Sequence, residues 1–293
     1  MSPILALQSL DNLWFQVSGT VCNIACHHCF ISCSPTNHSF EIMTLEQIRP
    51  ILEESQTLGV KEYYFTGGEP FLNKEILPIL SETLKYGPVT VLSNGMLFKD
   101  HTLKQLEAIE MGSSYTMEIR ISLDGFTEEA NDAIRGKGVF RKTMEGIGQL
   151  VRFGFLPIIT TMKSWDDADD ENILKNFNLL MQEIGYMRPR LKLIPSLKLG
   201  QEIMRSRGYE KEERVSEEMM TGFDASQLLC SNSRIMTSGG AYVCPILIDS
   251  PSAKLGETLQ DAVKPYPLNQ AACYTCYISG AICSNATTTI REN

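Results

Sequence analysis

The sequence predicts an α/β protein built on a parallel sheet with crossover helices, and three observations lead there. Strand-like apolar runs alternate with amphipathic runs along most of the 293 residues, the pattern of repeated βαβ units. Glycines stand where the helices should stop, at Gly59, Gly87, Gly112, Gly154 and Gly185. Short motifs rich in cysteine, glycine and carboxylate follow successive strand-like runs, where parallel barrels carry their chemistry. Six such units are two short of a complete (β/α)8 barrel.

Taken in order, residues 13–18 form the first expected strand. A helix is expected over 45–58, opened by the capping-box pair Thr44 and Gln47, with Pro50 inside it to kink it. Strands are then expected at 62–66, 89–93, 117–123, 156–162 and 190–195. Helices are expected at 74–85, 103–111, 140–153 and 170–184. The loop after the fifth strand is acidic. Asp169, Asp170 and Glu171 suit the positive end of the helix they precede, whereas Lys163, Trp165 and Asp166 lie nearer the strand end and could face a substrate. Residues 205–218 carry charges of both signs, which reads as a solvated helix or a connection between domains.

Composition narrows the class. The chain is 43% hydrophobic, enough for one large core and a small appendage. No apolar run approaches the ~20 residues of a membrane helix, and residues 1–10 lack the features of a secretory signal. A cytoplasmic protein without a membrane partner is expected. The net charge of −9, from 26 basic and 35 acidic residues, argues against a nucleic-acid partner. Nine cysteines cannot all pair in disulfides and read instead as metal ligands.

Three of those cysteines crowd one short loop, Cys22-Asn23-Ile24-Ala25-Cys26-His27-His28-Cys29. Cubane iron–sulfur clusters are normally held by four thiolates. Three on one loop would leave one iron open, as catalytic rather than structural metal centres require. Thr66-Gly67-Gly68-Glu69-Pro70, Ser93-Asn94-Gly95 and Ile121-Ser122-Leu123-Asp124-Gly125 then follow in order, and Arg135 stands eleven residues after Asp124. Over residues 12 to 200 this series resembles the radical S-adenosylmethionine (SAM) superfamily.

The resemblance implies a partial (β/α)6 TIM-like barrel, a 4Fe-4S cluster on Cys22, Cys26 and Cys29, and SAM chelated at the open iron. It implies a SAM pocket built from Gly67, Gly68, Glu69, Pro70, Ser93, Asn94, Ser122, Asp124 and Arg135. His28 takes the place where the family usually carries an aromatic ring beside the adenine, and His27 is expected to face solvent. Zinc is the plainer reading of the cysteine loop. No second knuckle lies near it, however, and zinc leaves the later motifs unexplained. Cys33 reads as a plain thiol.

The last third holds Cys230, Cys244, Cys273, Cys276 and Cys283. Gly239 lies five positions before Cys244, and Cys273-Tyr274-Thr275-Cys276 forms a knuckle, which together resemble a SPASM or twitch domain. Five cysteines are too few for two conventional cubanes, so the single-cluster twitch form is the closer match. The resemblance thus implies an auxiliary 4Fe-4S cluster on Cys230, Cys244, Cys273 and Cys276, with Cys283 as a substitute ligand or bystander. Four cysteines with one knuckle also describe a structural zinc site. The division expected is 10–210 for the barrel and 211–293 for the auxiliary domain and tail.

The implied activity is reductive cleavage of SAM to a 5′-deoxyadenosyl radical, which takes a hydrogen atom from a substrate. The leading expectation is an oxidoreductase acting on a small molecule, since the barrel begins almost at the N-terminus and leaves no room for an in-chain leader-binding domain. A reductant such as flavodoxin or ferredoxin would supply the first electron. The alternatives are a peptide-modifying enzyme with a separate leader-binding partner and, from another class, an iron–sulfur electron carrier. Asp166, Asp249 and Lys163 are the candidate bases. In sulfatase-maturating relatives an aspartate follows the cysteine equivalent to Cys244, whereas here Pro245 does.

Overall fold

The computed structural model describes residues 2–165 and 167–280. In chain order the elements are β1 (Ile4–Leu5), β2 (Asn12–Gln16), α1 (Leu45–Thr57), β3 (Glu62–Thr66), α2 (Ile76–Thr83), β4 (Val89–Ser93), α3 (Asp100–Met111), β5 (Met117–Ser122), α4 (Glu128–Arg135), α5 (Val139–Arg152), β6 (Ile158–Met162), α6 (Asp170–Glu183), β7 (Arg190–Ile194), α7 (Ile203–Ser206), β8 (Ser233–Thr237), β9 (Gly240–Tyr242), β10 (Lys254–Gly256), β11 (Tyr266–Pro267) and α8 (Ala272–Ser279). Strands β2 to β7 lie side by side and parallel. This is the partial (β/α)6, TIM-like barrel.

The sheet does not end at β2. Strand β8 pairs with it in parallel, with Phe15 opposite Met236, and β9 and β10 follow antiparallel. The order is β10-β9-β8-β2-β3-β4-β5-β6-β7, so residues after 210 share one hydrogen-bonded sheet with the barrel. A second contact ties the chain's beginning to this region, where β1 pairs with β11.

Side-chain alternation sorts the barrel strands into two faces. Leu13, Phe15, Tyr63, Phe65, Val89, Val91, Ile119 and Ile121 stand in register and are buried. The Tyr63 hydroxyl meets Ser55 of α1 at 2.7 Å, which identifies this as the helix-packed face. The other face is more polar. Trp14 stacks on Tyr64 with ring centroids 4.4 Å apart, and the Arg120 guanidinium lies 5.6 Å from the Tyr64 centroid. Towards the strand ends this inner face carries Gln16, Ser122, Asn94 and Asp124.

The expected strands are present, with ends moved by one or two residues. The fifth begins at Ile158 because Pro157 has no N–H to donate and Leu156 is 61% exposed. The Thr44–Gln47 capping box forms in both directions, and α1 continues through Pro50 as one element with the proline on its exposed side. Segment 207–222 is turns and bends rather than a helix. Neither α4 nor β8 is apparent in the sequence. The first is eight residues of mostly charged and small side chains, and the second carries an arginine and two hydroxyls yet is buried throughout. Among the described residues no helix is long and apolar enough to cross a membrane.

Phe65 is fully buried and stacks on Phe15 at 5.4 Å. Phe65→Ala is expected to cost about 3–5 kcal/mol through lost burial and the cavity left behind, measured as a shift in the urea midpoint at unchanged m-value.

Candidate metal and cofactor centre

The loop after β2 is held like a short extra strand. Val21 bridges to Ser34, the Cys22 N–H donates to the Ser34 carbonyl at 3.1 Å, and the Cys29 N–H donates to the Cys26 carbonyl at 3.2 Å. Each of the three sulfurs has an N–H donor nearby. Asn94 Nδ2 lies 3.8 Å from Cys22 Sγ, Arg135 Nη1 lies 3.9 Å from Cys26 Sγ, and the Cys33 N–H lies 3.2 Å from Cys29 Sγ. Such donors suit sulfurs that carry negative charge. Burial pushes the Cys22 thiol up to about 12 and the Cys26 thiol up to about 11, so metal must displace a proton from each. Cys29 differs. A hydrogen bond from the Cys33 thiol, with backbone N–H groups, draws it down to about 6 and drives Cys33 far up. Cys33 is therefore not an isolated thiol but packs against a candidate ligand.

A cubane takes its thiolates one to each iron, and three thiols on one loop are a donor set of that kind.

The glycine-rich turn after β3 lies directly against the loop. Gly68 N–H donates to the Gly19 carbonyl at 3.0 Å and Glu69 N–H to the Val21 carbonyl at 3.1 Å. A Cβ on Gly68 would stand 2.0 Å from the Val21 oxygen, which no side chain can satisfy. Glu69 is fully buried and accepts from Ser93 Oγ at 2.9 Å, from Asn94 N–H at 2.7 Å and from Phe71 N–H at 3.1 Å. Burial still pushes its carboxyl up to about 7. Pro70 starts the 3-10 turn that follows. Asn94 also reaches Asn23 Oδ1 at 2.7 Å, so the turn after β4 is fastened to the cysteine loop.

Asp124, at the end of β5, gathers three elements. Its Oδ2 lies 2.7 Å from His28 Nε2 and 2.5 Å from Arg135 Nε, and its Oδ1 accepts from Met162 N–H at 2.8 Å. Its own N–H donates to Asn131 Oδ1 at 3.0 Å. Burial alone would raise the carboxyl, but the Arg135 guanidinium and the His28 ring hold it well below the usual carboxylate range. His27 is exposed, with Nδ1 3.1 Å from the Ala133 carbonyl. Around this cluster Gln16 Oε1, His28 Nδ1 and Thr160 Oγ1 are buried without a hydrogen-bond partner. Unpaired buried polar atoms on an inner face suit a polar ligand such as SAM.

The second cysteine set gathers around one cavity. Cys230, Cys244, Cys273 and Cys276 line it with Leu229, Val243, Ile246, Tyr266 and Leu268. Four thiols around one apolar space again fit a cluster's donor set. Burial pushes Cys230 and Cys273 up to about 12. Cys283 lies outside the described residues.

The other candidates are dispersed. Asp166 lies outside the described residues. Lys163 Nζ is 2.8 Å from Asp170, which also accepts from Trp165 Nε1 at 2.7 Å. Asp249 borders a cleft with Ser32, Asn37, Phe40, Tyr242 and Lys254. Its carboxyl is raised by desolvation although the residue is exposed. Sequence reasoning missed Asn23, Asn131 and Gly200. A Cβ on Gly200 would stand 2.6 Å from the Cys29 oxygen, and Gln201 N–H donates to that carbonyl at 3.0 Å. It also missed Arg234, which stands between Ser233 and Ile235 with no motif to mark it.

Residues 17–177 match the family described as the Radical SAM superfamily. Among curated relatives, the mycofactocin maturase MftC of Mycolicibacterium smegmatis is 30% identical over 154 residues, covering 51% of this chain and 38% of that protein. A GTP 3',8-cyclase of Peptoclostridium acidaminophilum is 28% identical over 155 residues, covering 51% and 46%. The chain thus spans less than half the length of these two relatives. Among solved structures, Streptococcus suis SuiB aligns with a TM-score of 0.64 at 14% identity, over 90% of this chain and 67% of that one. The structure of anSMEcpe with AdoMet and the Cp18Cys peptide aligns at 0.61 and 16% identity, over 86% and 79%. At such identities the likeness is one of fold.

Asp124→Asn leaves Arg135 a buried charge without its anion. A loss of about 3–5 kcal/mol is expected, together with weaker SAM retention in equilibrium dialysis. For Glu69 the folded value lies above the ordinary 4.5, so the folded state holds that proton more tightly. Stability of metal-free protein should therefore fall as pH rises from 4.5 through about 7. Urea midpoints across that window should show the slope in the native chain and not in Glu69→Gln.

Proposed function

The chain belongs to the radical SAM superfamily, and from that premise we propose that it is an oxidoreductase using two 4Fe-4S clusters, one to cleave SAM and one to take an electron from the substrate radical. The observation that carries this reading is the cavity with four thiols on its wall. Cys22, Cys26 and Cys29 are the proposed ligands of the first cluster, and Cys230, Cys244, Cys273 and Cys276 those of the second. The proposed units are the barrel, 10–210, and the auxiliary part, 211–293. When bound, the first cluster and SAM supply one-electron cleavage of the sulfonium and the 5′-deoxyadenosyl radical.

The residues of this chain have four tasks in that scheme. The donors from Asn94, Arg135 and the Cys33 N–H compensate charge on the ligating sulfurs. Glu69 and Asp124 act by positioning. The first locks the Ser93–Asn94 turn, and the second locks His28 and Arg135. Gln16, His28 and Thr160 offer polar atoms to the cofactor on the inner face. Asp249 is the proposed base, because it borders a cleft that also takes in Ser32, three residues past Cys29, and desolvation raises its carboxyl above the ordinary value.

That cleft mixes charge of both signs with aromatic rings, which supports a small polar substrate. The second reading, modification of a peptide, is favoured by the maturase among the relatives. Deuterium transfer from labelled substrates of each class into 5′-deoxyadenosine separates the two.

Anaerobically reconstituted protein is expected to hold about eight irons if both cubanes form and about four if only the first does. Cys29→Ala should abolish 5′-deoxyadenosine formation with SAM and a reductant, assayed by chromatography. Cys276→Ala should retain part of the cleavage without substrate oxidation. Equal loss in both variants overturns the division of roles.

A further inference from the structure

We propose that Arg234 is a built-in countercharge of the auxiliary cluster, and that it raises that centre's reduction potential so that the centre can accept the substrate's electron. This rests on the auxiliary-cluster reading above.

Arg234 lies on β8 with its side chain completely buried. Backbone carbonyls accept from four of its five N–H groups. Nε donates to Ala262 at 2.8 Å, Nη1 to Cys230 and to Ser233 at 2.7 Å each, and Nη2 to Lys264 at 2.8 Å. None of the described carboxylates pairs with it, and the ionisable side chains close enough to influence it are Cys230 and Cys244.

A buried guanidinium without an anion is costly by several kcal/mol. Carbonyl dipoles offset part of that cost but bring no countercharge. The missing negative charge is what the neighbouring cavity would supply. A cubane on four thiolates is an anion, and reduction adds one more negative charge. A fixed cation beside it stabilises the reduced form more than the oxidised one, which raises the potential. The carbonyls serve a second purpose. They come from the turn before β8, from the first residue of β8 and from the segment between β10 and β11, so they fix the guanidinium beside the Cys230 backbone and out of water.

A merely structural arginine would knit the same carbonyls without affecting electron uptake, and charge-neutral and charge-retaining variants separate the two. In full-length reconstituted protein, iron is counted first and each cluster's midpoint is then read by EPR-monitored redox titration. Arg234→Gln is expected to lower the auxiliary midpoint by at least about 59 mV, a tenfold weaker electron uptake for a one-electron couple. The SAM-binding cluster should not move, and Arg234→Lys should stay near the native value. Eight irons with an unmoved auxiliary midpoint, or equal shifts of both clusters, overturn the role of Arg234 alone. Four irons in the native protein overturn the auxiliary-cluster reading itself. If the neutral variant does not fold, pulsed EPR on protein with 15N-labelled arginine is used, with Cys22, Cys26 and Cys29 replaced by Ala. A guanidinium 15N coupling to the remaining cluster is expected, and its absence overturns the proposal.

Discussion

The carboxylate of Asp124 joins the cysteine loop, the end of β5, the last residue of β6 and the end of α4. Its two oxygens meet His28, Arg135 and the Met162 N–H, and its side chain is 1% exposed. In water such contacts would be worth little. In this interior, removing one partner leaves an uncompensated charge, and the penalty is several times that of an ordinary hydrogen bond. Two of the proposed ligands, Cys26 and Cys29, flank His28, and Cys26 is also contacted by Arg135. One buried anion therefore governs where the metal-binding loop sits relative to the barrel.

The two cysteine centres are served by arginines in different electrostatic states. Arg135 is ion-paired with Asp124 while one of its nitrogens faces the Cys26 sulfur, so its charge is shared between that carboxylate and the first set of sulfurs. Arg234 is bonded only to carbonyls and keeps its charge. Potentials of iron–sulfur centres follow local charge, hydrogen bonding and exposure. On the proposed reading, the first centre is left with a low potential suited to giving an electron to SAM, and the second with a higher one suited to receiving an electron. On that reading, pairing one arginine with a carboxylate and leaving the other on carbonyls is what separates the two potentials within one fold.

Sheet continuity gives that arrangement its stiffness. Strand β8 hydrogen-bonds along β2, whose C-terminal end launches the cysteine loop, while Arg234 and the turn bearing Cys230 lie at the start of β8. The two centres are thus referred to neighbouring strands of one sheet rather than to two bodies joined by a linker. Packed, hydrogen-bonded strands hold relative positions far better than a loop does. The close approach of Gly200 to the Cys29 carbonyl fastens the loop from the opposite side.

The sequence by itself determined the parallel α/β architecture, the triple-cysteine loop and the positions of the glycine-rich, Ser93–Asn94 and Asp124 motifs at strand ends. These are legible because each is a local pattern, set by spacing within a few residues or by the alternation of apolar and polar side chains. Only the tertiary structure decided what those motifs do to one another. The Asn94–Asn23 bond, the His28–Asp124 pair and the gathering of Cys230 with Cys276 join residues 46 to 96 positions apart. Helix α4 and strand β8 were hidden for the same reason, since short polar segments become regular only when neighbours bury them. Arg234 is the extreme case. Nothing beside it in the chain marks it, and its meaning comes from carbonyls 28 and 30 residues away that close around it.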